Sequence, residues 1–435
     1  MSSAGVEDYR LGAFLLLALA LGGTAQYDLS LKPYLYLLAL GFIAWGLMRR
    51  TKPFATLMTP ALWIGAALFG LFVFYLVPLP PSIWTSLEGR AVIREGFALV
   101  DADLPAMPLS LAPERTLMSL FAFIPPICVA VIMRLAASRR ELRIADMAVV
   151  AAALVSFLIG LLDVFMGLRL VTAYDIFNDG FPTGFFSNVN HQATLVIAAI
   201  PFAAYFVMRH RSNGRKPDQT RFALALCALI LLAAGTLTLR SGAGYGMLAF
   251  ALVACAVTAF RGRTRRVAVL IAAAASVVLA GLVLALPGNV AVFEELMVQS
   301  RTARPEIYAT TLRMRPDFGL FGIGPGAFEY VYKLYETRGP ISNSFVNETH
   351  NDYLQIWTEF GVAGLVWLAA LLGWFVVHGI RALRSDRRLA GLVAISLACI
   401  FIHSAVDYPM RTIGIATLAT YLALRLESLL ARDRT

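Results

Sequence analysis

The chain has 435 residues, of which 59% are hydrophobic and 15% charged, and its mean hydropathy is +0.72. Soluble globular proteins run at about 45–50% apolar and about 25% charged, so a water-soluble enzyme, a disordered scaffold and a coiled coil are all excluded. The formal net charge of +10 comes from basic residues set in short tracts between apolar runs, a signal of membrane topology that excludes a nucleic-acid partner.

Apolar runs approaching the roughly 20 residues that a bilayer core requires occupy 11–28, 33–48, 60–78, 115–135, 144–166, 188–208, 221–239, 243–260, 267–286, 354–378, 389–407 and 411–427. The first run lacks a basic segment followed by a small-residue cleavage site and reads as a retained span. The expected fold class is therefore all-α: a polytopic membrane helix bundle of about 12 transmembrane helices, forming a single membrane domain over 1–435. The tracts RRTK (49–52), RLAASRRELR (134–143), RHRSNGRKPDQTR (209–221), RGRTRR (261–266), RALRSDRR (381–388) and the tail after Arg425 are assigned to the cytoplasm by the positive-inside rule, with both termini. The two longest hydrophilic stretches, 79–114 and 287–353, then face the far side, which in a bacterium is the periplasm; the larger loop is expected to carry short helices. The cytoplasmic loops leave no room for a catalytic domain, so chemistry is expected outside. Nucleotide sugars and ATP are absent there, and activated substrates must arrive attached to lipid.

The chemistry-bearing residues fall in the outer segments. Asp101 and Asp103 of DAD read as solvated acidic surface, since the nucleotide-sugar donors of a DxD metal site are missing outside. GFFSNVNHQATL (184–195) brings Asn188, Asn190 and His191 to an outer helix start, and TLTLRSGAGYG (236–246) places Arg240 at an outer turn. A charge at the bundle rim needs water, phosphate or another partner. RTARPEIYATTLRMRP (301–316) concentrates Arg301, Arg304, Arg313 and Arg315 in a loop where the topology bias should deplete them, and arginine suits bidentate phosphate recognition. The alternating Gly322, Gly324 and Gly326 of DFGLFGIGPGAF lack the Lys and Ser/Thr of a phosphate-binding loop, so a tight structural turn is expected.

HNDYLQIWTEFGVAGL (350–365) carries His350, Leu354, Trp357 and Gly361 at i, i+4, i+7 and i+11, one face of a single helix. Asn347 or Thr349 is expected to cap it, placing His350 in the first turn, where the helix dipole favours the neutral imidazole that a general base needs. Cys128, Cys227, Cys255 and Cys399 each stand alone in apolar runs and read as packing residues; no metal site is expected.

The order His-Asn, nine residues, Gly, two residues, Gly in HNDYLQIWTEFGVAG resembles the signature of the bacterial O-antigen ligase and O-antigen polymerase family. ARPEIY (303–308), GLFGIGPGAF (319–328), FSNVNHQA (186–193) and HSAVDYPMR (403–411) are similar to its other recurring blocks, and PLSLAPERTL (108–117) to a segment of its exopolysaccharide-type members. The resemblance implies an inner-membrane, metal-independent and cofactor-free transfer of a glycan from undecaprenyl diphosphate to a saccharide, with the ligase-like region over 180–375. The acceptor is lipid A core for a ligase and a lipid-linked repeat unit for a polymerase. It matches His350 to the essential histidine, Arg304 to the arginine of the loop helix, and Arg240 to an arginine of the outer turn. Arg301 and Arg313 complete the expected diphosphate ligands, and Asn190, His191 and Asn351 are the expected glycan contacts. Members often read Ser-Arg-Ala-Gly at the outer turn, whereas this chain has Ser241-Gly242-Ala243-Gly244 with Arg240 ahead of them.

Single-step attack on the anomeric carbon predicts inversion. Two other classes compete. A secondary transporter would show internal repeats and ionisable residues at the bilayer midplane, whereas Asp163, His403, Asp407 and Arg411 fall near span ends. A non-catalytic scaffold leaves the outer arginines and histidine unexplained.

Overall fold

The computed structural model describes residues 5–25, 31–167, 178, 180–211, 218–260, 262–285, 304–336 and 345–431. Each of the twelve apolar runs contains a helix among the described residues, because a backbone in lipid must satisfy its polar groups within its own segment. Among the described residues, seven helices are long and apolar enough to cross a membrane: Pro113–Ala136, Arg139–Met166, Val189–His210, Gln219–Thr238, Gly242–Ala259, Asp352–Arg384 and Ile413–Ala431. Lys32–Met48, Pro60–Tyr75 and Arg388–Ser404 are shorter apolar helices. Arg10–Leu21 has 12 residues, a rise of about 18 Å against a hydrocarbon core of about 30 Å. Apolarity thus locates the long helices, seven of which, among the described residues, meet the length of a span.

The described chain packs as two compact units, Met1–Met58 with Ile124–Met297 and Phe375–Thr435, and Thr59–Phe123 with Val298–Trp374. In the first unit two buried ion pairs join helices distant in sequence. Arg10 meets Glu141 at 3.0 Å, and Arg425 meets Asp146 at 2.6 Å, with the Tyr421 hydroxyl donating to the same carboxylate at 2.5 Å. Removing one partner strands the other charge, which costs about 3–5 kcal/mol, whereas replacing both with apolar side chains is close to neutral. Asp146→Leu is therefore expected to lower the melting temperature of the detergent-purified protein sharply, and Asp146→Leu/Arg425→Leu to recover most of the loss. Equal melting temperatures for the two variants would show that the stranded Arg425 charge is not the source of the loss.

The second unit is built on two apolar clusters. Phe72 and Tyr75 of Pro60–Tyr75 pack with Leu109 and Phe360. Ile307, Met314, Phe318, Ile323, Phe328 and Tyr332 form the other cluster, which includes the short helix Phe328–Tyr335 and a helix over 304–314. A two-stranded antiparallel ribbon pairs Pro78 with Pro108 and Leu79 with Met107. The PLSLAPERTL segment then docks on the glycine-rich loop, with Leu111 N–H donating to Ile323 O at 2.9 Å and the Thr116 hydroxyl to Pro325 O at 2.6 Å.

Asp352–Arg384 is not one straight helix. Gly361 takes φ 57° and ψ −137°, which breaks it, so the expected continuous face through Gly361 does not exist. A helix end leaves carbonyls unpaired, and the glycine-rich loop fills them: Ile323 N–H donates to Thr358 O at 3.1 Å and Gly324 N–H to Glu359 O at 2.9 Å. In return Val362 N–H donates to Leu320 O at 2.9 Å. Gly322, Gly324 and Gly326 all have positive φ. The structural turn expected for this loop is thus a clamp on a broken helix.

Candidate functional site

The Asp352 helix starts two residues later than Thr349, the later of the two expected caps, would place it. Asn351 Oδ1 accepts from the backbone N–H of Tyr353 and of Leu354, each at 3.0 Å, so Asn351 is the cap and His350 stands before the helix, not in its first turn. Thr349 is occupied elsewhere. Its hydroxyl donates to Asn351 O at 2.7 Å and approaches Gln355 Oε1 at 3.1 Å. Asparagine ranks above threonine as a cap, which is the physical reason for the shift.

His350 has φ 54°, one of three non-glycine residues in the left-handed region among those described, with Asp101 and Arg240. That conformation costs about 1–2 kcal/mol for an L-residue and persists only where its surroundings over-determine it. Here the Tyr308 hydroxyl donates to His350 O at 2.9 Å. Behind the loop lies a buried polar ladder. Gln355 Oε1 accepts from Thr349 N–H at 2.8 Å, and Gln355 Nε2 donates to Glu359 Oε1 at 3.2 Å and to Glu348. Glu359 Oε1 also accepts from Gly326 N–H at 3.1 Å, tying the ladder to the glycine-rich loop. The half-buried imidazole is thereby held on a fixed backbone. Tyr308, Gln355 and Glu359 were not among the expected site residues; the i, i+4 spacing of Gln355 and Glu359 within an apolar helix is the signal that points to them.

The helix over 304–314 brings Arg304 to the same side as Tyr308, since residues four apart are neighbours on a helix. The residue that pins the His350 carbonyl is therefore one turn from Arg304. Arg313 lies nine residues after Arg304, about half a turn round the helix. It is exposed, and its Nη2 donates to the Thr310 hydroxyl at 2.7 Å. Arg301 lies outside the described residues. Arg315 is buried, stacks over Trp357 at 5.3 Å and donates to Gly319 O at 2.5 Å. Burial lowers its pKa from the usual guanidinium value, opposed by nearby Tyr75 and Glu88. Asp101 and Asp103 are exposed.

Arg240, Asn190 and His191 belong to the first unit, and His350, Asn351, Arg304 and Arg313 to the second. Arg240 is exposed on the turn before Gly242–Ala259, which Ser241 caps by accepting from Gly244 N–H at 3.1 Å. Asn190 has both polar ends engaged, with Ser241 at 2.7 Å and Asp407 at 2.6 Å. His191 is buried, 4.0 Å from Asp407 and edge-on to Tyr408. Asp407, a span-end acid in the sequence, is fully buried.

Residues 226–369 match the family model described as O-antigen ligase. The matched segment is O-antigen ligase-like. No curated protein matches it. The O-antigen ligase match includes Arg240, Arg304, Arg313, His350, Asn351 and the glycine-rich clamp, while Asn190, His191 and Asp407 lie outside it.

Proposed function

We propose that this protein is an inner-membrane glycosyltransferase working on the periplasmic face, with both termini in the cytoplasm. It transfers a glycan from an undecaprenyl diphosphate-linked donor to a saccharide acceptor, lipid A core in the ligase reading. One observation carries this reading: within the matched segment, the strained, half-buried His350 is pinned through its carbonyl by Tyr308, which lies one helical turn from Arg304.

In this mechanism the acceptor hydroxyl gives its proton to the His350 imidazole as its oxygen bonds to the anomeric carbon. The bond from that carbon to the diphosphate breaks, and the diphosphate leaves with the electron pair. Arg304 stabilises the developing charge, a task fixed guanidinium groups perform without a metal or cofactor. Attack opposite the leaving group inverts the anomeric centre. Arg301, spaced three residues before Arg304, exposed Arg313 and exposed Arg240 are secondary phosphate ligands in this reading. Asn351, Asn190 and His191 are glycan contacts in this reading.

Arg304→Lys is expected to reduce transfer about tenfold or more, since a point charge replaces a planar fork. Full activity of that variant in a complementation assay would remove bidentate phosphate binding from the mechanism. Deleting the gene separates the two acceptor classes: unattached full-length chains accumulate if the protein is a ligase, and chain length collapses if it is a polymerase. An unchanged polysaccharide profile would contradict both.

A further inference from the structure

At one end of the first unit, side chains from three distant parts of the chain form a directional hydrogen-bond relay. The Ser241 hydroxyl donates to Asn190 Oδ1 at 2.7 Å, and Asn190 Nδ2 donates to Asp407 Oδ2 at 2.6 Å. The other Asp407 oxygen accepts from Tyr408 N–H at 2.9 Å. Ser241 uses a lone pair to cap Gly244 N–H at 3.1 Å. Asp407 and Ser241 are 0% and 2% exposed, so the two ends of the relay depend on their partners for compensation, with half-buried Asn190 joining them.

The relay ends at the residue after Arg240, which is exposed and left-handed at φ 53°. Arg240 follows the last turn of Gln219–Thr238, and the relay with its Ser241 cap acts at the start of the next helix, beside the Tyr245 hydroxyl that donates to Leu237 O at 3.1 Å across the turn. The amide of Asn190 can serve both neighbours in one orientation alone: its oxygen must face the serine donor and its nitrogen the carboxylate. The Asp407 carboxylate therefore sets the amide, the amide sets the serine, and the serine sets the Arg240 turn.

We infer that Asn190 and Asp407 are positioning residues that hold the Arg240 turn, through Ser241, in the conformation that presents its guanidinium to the donor phosphate. This rests on the phosphate-binding reading of Arg240 above. Asp407 acts without touching substrate, and Asn190 acts on the Arg240 turn through Ser241 in addition to its proposed glycan contact.

A reciprocal exchange tests it. Asp407→Asn alone opposes two N–H groups, and Asn190→Asp alone opposes two carboxylates. In Asn190→Asp/Asp407→Asn the carboxylate at position 190 accepts from Ser241 and from the carboxamide at position 407, whose oxygen takes the Tyr408 N–H. Each single variant is expected to raise KM for the lipid-linked donor about tenfold, the equivalent of one lost hydrogen bond, with a smaller change in kcat. Amide exchange across 239–246 should quicken by a similar factor. The double variant should return both readings to within about threefold of the parent. Should a single variant fail to fold, Ser241→Ala, which removes only the last link, is expected to shift KM and exchange in the same direction. A double variant no better than the worse single, or faster exchange with unchanged KM, overturns the inference. Absence of transfer in the parent protein instead overturns the transferase reading, and the exchange measurement still reports on the relay.

Discussion

His350→Ala is expected to abolish glycan transfer, a loss of at least about 100-fold, the contribution typical of a positioned general base. The protein should still insert and fold, because the loop is held through backbone and neighbouring side chains: Tyr308 on the His350 carbonyl and Thr349 and Asn351 on the capping bonds. His350→Asn is the sharper variant. Asparagine tolerates the left-handed backbone that His350 occupies at φ 54° but offers no basic nitrogen, so it should be as inactive as alanine with the loop intact. Tyr308→Phe removes one hydrogen bond to the same carbonyl and should cost about tenfold or less. Transfer at the parent rate in His350→Asn, scored as polysaccharide restored to a null mutant, would exclude the imidazole as the base.

Gly361→Ala is expected to destroy the second unit. A Cβ at that position would lie 1.8 Å from Leu320 O, and the residue already has φ 57°. The clash is with backbone, in a loop whose own N–H groups are bonded to Thr358 O and Glu359 O, so neither side can give way. The left-handed penalty and the broken clamp together exceed about 3 kcal/mol, a large share of a domain's stability. Gly373→Ala is the matched control on the same helix, since a Cβ there meets nothing within 4 Å; it should be neutral. Yield and melting temperature of the two purified variants decide the point, and equal behaviour would show that the break at Gly361 is not structurally required.

The sequence makes the helices legible and their breaks obscure. Apolar runs locate every span-like helix because lipid leaves the backbone no alternative, but run length does not reveal where a helix stops being straight. Gly361 reads in sequence as one position on a helical face; only the docking of Leu320 to Gly324 shows that its missing Cβ is what the fold uses. The cap shows the same limit. Asn347, Thr349 and Asn351 are all competent by residue type, and tertiary bonds from Thr349 to Gln355 settle which one acts. Arg304 and Arg313 lie on opposite sides of the 304–314 helix, which the nine-residue spacing encodes but a count of arginines hides. Asp407 could not be paired with Asn190 across more than two hundred residues without coordinates.

The central claim is that His350 serves glycan transfer from a lipid-linked diphosphate. Purified protein in proteoliposomes, given an undecaprenyl diphosphate-linked glycan and a saccharide acceptor, measures it directly. The account predicts a glycosylated acceptor and release of undecaprenyl diphosphate with the parent protein, and neither with His350→Asn. Movement of the donor or glycan across the bilayer with the glycan still lipid-linked, unaffected by His350→Asn, would contradict it.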